Sequence, residues 1–178
     1  ELLSVYRRKP DVMMISGVNP LDEWSTQEGA HLFSKLGHAQ AWASWKRAWA
    51  RFPDARDAWR DERVRSRIRA FLADEDQFRA RSAIYELPAD SAGNSWDYQW
   101  ALARQMHCGL TAVPSKGLAI HAGRGALATH TRQRSIVAAL ARPHEAEFPI
   151  RSPGRIEPDP AYDRFLFEVT NDCLSAET

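Results

Sequence analysis

The chain has 178 residues, of which 44% are hydrophobic and 26% charged, as is typical of a globular protein. Its net charge is +1, with 24 basic and 23 acidic residues, and this balance argues against a dedicated nucleic-acid binder. No apolar run approaches the roughly 18 residues that span a bilayer, and residues 1–8 lack the apolar core of a signal peptide.

The two cysteines bear on the cellular compartment of the protein. Cys108 and Cys173 do not have the spacing of a metal site, and so few cysteines favour a reducing compartment. We therefore expect a cytoplasmic protein.

The chain begins without methionine, and Leu2, Leu3 and Tyr6 have helical spacing with no capping residue before them. We therefore also expect the sequence to start inside a longer protein.

The first part of the chain predicts a strand, a loop and an aromatic helix. Residues 11–16 form a short apolar run that ends at Gly17, which is typical of a buried strand. Residues 18–29 are predicted to form a loop, and residues 38–52 a helix that ends before Pro53. Four aromatic residues share one face of this predicted helix: Trp42, Trp45, Trp49 and Phe52.

The middle of the chain predicts more helices and then short strands. Helical periodicity covers residues 55–72, 76–87 and 96–107. Gly109 is predicted to end the last of these helices, as the residue that follows the C-cap. Residues 110–113, closed by Pro114, and residues 117–122 are predicted to be strands.

The C-terminal region combines an extended segment with a helix. Residues 142–160 contain five prolines and are predicted to run extended over the surface. Asp159 and Pro160 fit the N-cap and the first position of a helix at 159–172. The order of all these elements predicts one α/β domain over residues 1–178.

Asp97 lies between Trp96 and Tyr98 near the start of a predicted helix, and two interpretations of it remain open. As an acid in the first helical turn it would stabilise the helix by about 0.3–1 kcal/mol. As a general base it would accept a proton from a hydroxyl, with its aromatic neighbours excluding water. Local context alone favours the helix-stabilising interpretation.

Other candidate residues also have two interpretations. Ser16, Gly17 and Asn19 follow the first predicted strand, where open α/β sheets bind ligands, although a plain turn explains them as well. Trp96 and Trp100 share a helical face that would serve either packing or sugar binding.

The segment that ends in Thr129, His130 and Thr131 is a further candidate. His130 would either bind a metal or phosphate, or have no specific role. The glycines Gly123 and Gly125 would let this loop approach a ligand closely.

Four segments, in this order, resemble those of bacterial GT-A type glycosyltransferases that use nucleotide-diphospho-sugars and are often found among surface-polysaccharide genes. The segments are Met14–Asn19, Phe33–Ser34 with Trp42–Trp49, Trp96–Trp100 with Gly109–Pro114, and Ala128–Thr131. Each segment alone is a weak signal, whereas the ordered set, which spans residues 1–165, is fairly specific. The chain is also distantly similar to the Golgi transferase that starts complex N-glycan branches.

The resemblance implies a fold and a set of site residues. The fold would be the C-terminal, acceptor-side part of a GT-A-like (Rossmann-like) α/β domain, with a short mixed sheet flanked by helices. Asp97 would be the catalytic base and His130 a metal ligand. The substrates would contact Ser16, Gly17, Asn19, Trp96, Trp100, Gly123, Arg124 and Gly125. A divalent cation, Mn²⁺ or Mg²⁺, is expected mainly through an acidic motif upstream, which this chain lacks, and Arg124 stands where the family often has an aromatic residue.

The resemblance further implies an inverting glycosyltransferase, which moves a sugar from a nucleotide-diphospho-sugar donor to a hydroxyl of a glycan acceptor in surface-polysaccharide or glycan synthesis. A lipid-linked acceptor would bring the protein to the inner face of the membrane. The alternative is a non-catalytic module that binds carbohydrate or protein through exposed tryptophans and arginine-rich helices. Nucleic-acid binding by residues 51–81 is disfavoured because acids are interleaved with the arginines.

Overall fold

In the computed structural model, which describes residues 1–25, 29–52, 55–87, 95–120 and 142–175, four strands form one mixed sheet. The strands are β1 (Val12–Ser16), β2 (His31–Ser34), β3 (Trp42–Ala43) and β4 (Leu110–Pro114). Their order across the sheet is β2-β4-β1-β3. The central strands β1 and β4 are parallel, whereas β2 and β3 pair antiparallel at the two edges.

The helices range from single turns to the long C-terminal helix. They are α1 (Leu2–Val5), α2 (Lys46–Trp49), α3 (Ala55–Ala58), α4 (Glu62–Leu72), α5 (Glu75–Tyr85), α6 (Trp96–Met106) and α7 (Pro160–Ser175). The described structure is therefore α/β, with a short mixed sheet flanked by helices, as the sequence predicts.

The two faces of the sheet carry separate hydrophobic clusters, because successive strand residues point to opposite sides. The larger cluster joins the sheet to α4, α6 and α7, and includes Met13, Val113, Ile68, Trp100 and Leu166. The smaller cluster lies on the other face beside α1, and includes Tyr6, Val12, Phe33, Leu110 and Ile156.

The start of the terminal helix is as predicted. The backbone N–H of Tyr162 donates to the Asp159 carboxylate over 2.9 Å, so Asp159 caps α7 and Pro160 is its first residue. One turn later, Asp163 accepts hydrogen bonds from the Ser34 hydroxyl (2.5 Å) and the Lys35 backbone N–H (3.1 Å). These bonds fix α7 to the end of β2, and burial raises the pKa of Asp163.

The predicted end of α6 is wrong by one residue. Cys108 has the left-handed conformation (φ 52°) expected of Gly109. The N–H groups of Cys108 and Gly109 donate to the carbonyls of Gln105 and Arg104, which is the hydrogen-bond pattern of a Schellman motif. Gly109 is required for a different reason, because a Cβ there would lie 2.3 Å from the Met13 sulfur.

The predicted aromatic helix at 38–52 is largely wrong. Trp42 instead pairs with Ser16 in the sheet, the Ser44 hydroxyl donates to the Met13 carbonyl over 2.8 Å, and only Lys46–Trp49 is helical. The tryptophans do not share one face. Trp45 packs on the α1 side, with its indole N–H donating to Leu3. Sheet pairing thus overrides a pattern that helical spacing alone suggests.

Smaller differences separate the remaining elements from their predictions. The predicted helix at 55–72 is interrupted at Trp59, which is buried, and restarts at Asp61, whose carboxylate caps α4. The strand β2 was not predicted, and residues 117–120 do not form the predicted strand. The predicted helix at 76–87 corresponds to α5, and residues 142–159 run without a helix, as expected.

A buried guanidinium links α6 to the sheet. Arg104 is 1% exposed, and its Nη1 donates to the Thr111 hydroxyl of β4 (2.7 Å) and to the Leu36 carbonyl (3.2 Å). The Thr111 hydroxyl in turn donates to the Leu36 carbonyl over 2.8 Å. Burial lowers the pKa of Arg104 to about 10, so the group keeps its charge at neutral pH.

We expect Gly37→Ala to destabilise the fold by about 1–3 kcal/mol. Gly37 has φ 127°, and a Cβ there would lie 2.5 Å from the Thr111 hydroxyl oxygen that Arg104 binds. Gly117→Ala is the matched control, because its added Cβ meets nothing closer than 3.5 Å. Urea unfolding of both variants measures the difference, and equal stabilities would contradict this interpretation.

Candidate functional site

A cleft of about 630 Å³ opens at the carboxyl ends of the parallel strands β1 and β4. It is lined by Ser16 and Gly17 at the end of β1, by Pro114 and Ser115 at the end of β4, and by Trp42 of the neighbouring β3. This is the edge of an open α/β sheet at which ligands usually bind. Its volume is in the usual range of small-molecule sites, about 300–1,000 Å³.

Residues 144–151, here called the strap, form the opposite wall of the cleft. One end is fixed where the His144 N–H donates to the Gly117 carbonyl over 2.8 Å. At the other end the Ile150 N–H donates to the Glu1 carboxylate (2.9 Å), and the Arg151 carbonyl accepts from Ala30 (2.8 Å). The strap is thus held at both ends, with the residues between them beside the cleft.

His31, the first residue of β2, lines the same cleft although only 1% of its surface is exposed. Its Nε2 lies 2.7 Å from the Tyr6 hydroxyl, which also bonds Ser152. Among the described residues its buried Nδ1 has no hydrogen-bond partner. Burial lowers the pKa of His31 to about 4, so the ring is neutral at physiological pH.

Asp97 lies in the first turn of α6, and its neighbour Trp96 contacts Trp42 of the cleft lining. Trp96 stacks on Trp42, with ring centroids 5.7 Å apart and an interplanar angle of 28°. The side chain of Asp97 is partly buried and accepts a hydrogen bond from the Ser95 hydroxyl. Ser95 is the N-cap residue but makes no capping bond, because its hydroxyl is turned to this carboxylate.

His38 connects Asp97 with the strand end. Its pKa is lowered to about 4, first by burial and then by the charges of Arg81 and Arg104, while the charge of Asp97 acts in the opposite direction. Its backbone carbonyl is 3.2 Å from the Ser16 hydroxyl, within hydrogen-bond reach. His38 is thus bonded through its backbone to the end of β1, and its ring is close enough to Asp97 for the charge of that carboxylate to affect its pKa.

The three predicted substrate residues after β1 have different surroundings. Ser16 is 3% exposed, and its hydroxyl is within reach of the Val18 and His38 carbonyls. Gly17 approaches the chain so closely that a Cβ would lie 2.5 Å from the Ala41 carbonyl oxygen. Ser16 and Gly17 both line the cleft, and they also hold the segment that carries Trp42.

Asn19 is bonded entirely within the protein. Its amide donates to the Pro114 carbonyl (3.0 Å) and reaches the Ser115 carbonyl, while its oxygen accepts from Leu21 (3.0 Å) and the Tyr162 hydroxyl (3.1 Å). It therefore joins the ends of β1 and β4 to α7. In this structure Asn19 does not line the cleft, and its hydrogen bonds hold in place the strand ends that do.

Trp100, also predicted to contact substrate, has no exposed surface. It packs against Trp42 and Trp49, with centroids 6.0 and 5.1 Å away, and its indole N–H points to the Met14 sulfur at 3.2 Å. In this conformation it acts on the site only through the tryptophans that it supports. Trp96 and Trp49, by contrast, are 47% and 41% exposed.

Four predicted site residues lie outside the described residues: Gly123, Arg124, Gly125 and His130. Within the described ranges, no group of three or more His, Cys, Asp or Glu side chains is placed to bind a metal ion.

Sequence reasoning missed several residues of the cleft. The sequence pattern predicts Trp42 on the face of a helix, and no local signal links His31 or the strap to a site. The five prolines predicted that the strap region runs over the surface, but no local pattern shows which surface it covers. The position of His31 depends on β2, which is too short to give a clear periodic signal.

We expect His31 to make the fold sensitive to acid. The unfolded chain binds a proton near the ordinary histidine pKa of about 6.5, whereas the folded protein resists protonation down to a pKa of about 4. Stability should therefore fall by about 1–2 kcal/mol between pH 7 and pH 5 because of this residue. In urea unfolding, the free energy of unfolding of His31→Gln should fall less between pH 7 and pH 5 than that of the wild type. If both proteins lose the same amount, His31 is not the cause.

Within the residues that the structure describes, no helix has the length and apolarity needed to cross a membrane. No protein-family model, no curated protein and no solved structure matches the chain.

Proposed function

We propose that the protein is a glycosyltransferase that moves a sugar from a nucleotide-diphospho-sugar to a hydroxyl of a glycan acceptor. The observation that supports this proposal is the Trp96–Trp42 stack, which joins the first turn of α6, where Asp97 lies, to the lining of the cleft at the carboxyl ends of β1 and β4. Three of the segments that resemble a GT-A type transferase thus meet at one edge of the sheet, through Ser16, Trp42 and Pro114. Phe33–Ser34 lies toward the opposite edge, and Ala128–Thr131 lies outside the described residues.

Asp97 is the base in this proposal. Its carboxylate takes the proton from the acceptor hydroxyl, and that oxygen attacks the anomeric carbon of the donor as the nucleoside diphosphate leaves. A single displacement of this kind inverts the configuration at that carbon. The Ser95 hydroxyl holds one carboxylate oxygen in place and leaves the other available for the acceptor.

The donor's leaving group calls for positive charge. A divalent cation, Mn²⁺ or Mg²⁺, would offset the charge that develops on the departing diphosphate. As the resemblance implies, we assign the cation mainly to an acidic motif upstream, with His130 as a further ligand. An acceptor linked to lipid would place the reaction at the inner face of the membrane.

The second candidate is a module that binds carbohydrate without catalysis. It is favoured by the two exposed indoles of Trp96 and Trp49, which with Trp42 form a continuous aromatic surface. Aromatic surfaces of this kind can contact sugars both in binding proteins and in enzymes. Turnover separates the two candidates, since a binding module takes up the acceptor and releases no nucleoside diphosphate.

We expect Asp97→Asn to lower sugar transfer by about 10²–10⁴-fold, the usual contribution of a positioned base. The variant keeps the size of the side chain and an oxygen that accepts from Ser95, so the fold and donor binding should be retained. The measurement is the release of nucleoside diphosphate from a panel of nucleotide-sugars by the protein as its gene encodes it.

Asp57→Asn is the matched control for this substitution. Asp57 also lies in the first turn of a helix, but its side chain is 93% exposed, with a salt bridge to Arg60 of 4.0 Å. It should transfer sugar at the wild-type rate. If Asp97→Asn retains transfer within a few-fold of the wild type, Asp97 is not the base.

A further inference from the structure

We infer that the cleft beside the strap binds an uncharged, hydroxyl-rich sugar ring of the acceptor, next to the ring whose hydroxyl Asp97 deprotonates. This inference rests on the proposed glycosyl transfer and adds the class of acceptor to it. Three features of the cleft carry the inference: an unpartnered buried histidine, a pair of carboxylates without ion pairs, and an exposed phenylalanine.

The unpartnered Nδ1 of His31 calls for a partner that can either accept or donate a hydrogen bond, according to the tautomer of the ring. Its Nε2 is bonded to the Tyr6 hydroxyl, and its buried Nδ1 has no partner among the described residues. Because Tyr6 can either donate or accept, the neutral ring can present Nδ1 as a donor or as an acceptor. A sugar hydroxyl satisfies both tautomers, whereas a carboxylate or phosphate satisfies only the protonated Nδ1.

The charges along the cleft favour an uncharged ligand. Glu145 and Glu147 belong to the strap, and in the described part of the chain no salt bridge to either is found. A carboxylate accepts hydrogen bonds from sugar hydroxyls and repels a second carboxylate. On the opposite side, Lys116 is paired with Glu23 at 3.2 Å, which leaves Arg151 as the guanidinium of the lining.

Phe148 supplies an apolar wall. It lies in the middle of the strap, lines the cleft and is 70% exposed, an unusual position for a large aromatic side chain. Trp42 lines the same cleft from β3. A sugar ring presents C–H groups on its faces and hydroxyls at its rim, so an aromatic wall in the same cleft as two carboxylates matches both parts of the ring.

The strap is preorganised for this contact. The bonds of His144 to Gly117, of Ile150 to Glu1 and of Arg151 to Ala30 fix the chain on both sides of Phe148. Little conformational entropy is therefore lost when a ligand fills the cleft. The cleft also reaches Trp42, on which Trp96 stacks beside Asp97, so a sugar bound there is adjacent to the proposed reacting ring.

The test compares sugars that differ only at C6. Methyl glucoside and methyl galactoside each carry a hydroxymethyl group where the corresponding methyl uronide carries a carboxylate. Their binding to the 178-residue chain can be followed by ligand-observed NMR titration. We expect at least one neutral glycoside to bind, and its uronide to bind several-fold more weakly.

Two variants locate the binding. Phe148→Ala should weaken binding of the neutral glycoside by about three- to tenfold, because the aromatic wall of the cleft is lost. Phe165→Ala is its matched control, since Phe165 is also exposed (47%) but lies on α7 against Trp24. Glu147→Gln should reduce the difference in binding affinity between the neutral glycoside and its uronide, because one repelling carboxylate is removed.

The inference is overturned if neither neutral glycoside binds, if a uronide binds more tightly than its neutral partner, or if Phe148→Ala and Phe165→Ala bind equally well. The proposed function fails separately, because it depends on nucleoside diphosphate release and on Asp97. Sugar binding at Phe148 without any transfer would support the sugar site and contradict the transferase.

Discussion

The buried guanidinium of Arg104 is the interaction on which the arrangement of the site depends. It draws α6 onto β4 through Thr111 and ties both to the Leu36 carbonyl, in a region from which water is excluded. A charge in such a place is costly unless it is hydrogen-bonded, so the position of α6 is set within narrow limits. The other end of the same helix carries Trp96 and Asp97.

From that constraint the rest of the site follows. With α6 fixed, Trp100 fills the core beneath Trp42, and Trp96 stacks on Trp42 from the solvent side. Gly17 allows the segment of Ala41 to approach β1, which brings Trp42 to the carboxyl edge of the sheet. Asn19 then joins the ends of β1 and β4 to α7, so the floor of the cleft is one hydrogen-bonded unit.

Local sequence signals predicted the elements whose ends are determined by their own residues. The strand at Val12–Ser16, the helix at Trp96–Met106 and the Asp159 cap of α7 depend on short-range periodicity and capping. Trp42 and Trp45 could not be placed in the same way. Their spacing fits a helix, but pairing with Ser16 and contact with Leu3 decide their conformation, and both partners are distant in sequence.

The candidate site shows the same division. Ser16 and Gly17 were predicted from their place at the end of a strand, and both line the cleft. Trp96 was predicted from a helical face that it shares with Trp100, and it stacks on Trp42 of the lining. His31 and Phe148 were not predicted to line the cleft, since their positions depend on an edge strand and on the extended strap.

We propose above that Asp97 activates an acceptor for a single displacement. The anomeric configuration of the product, determined by NMR, tests this most directly. We predict that the anomeric configuration of the transferred sugar is opposite to its configuration in the nucleotide donor. A product that retains the donor's configuration would contradict the role of Asp97.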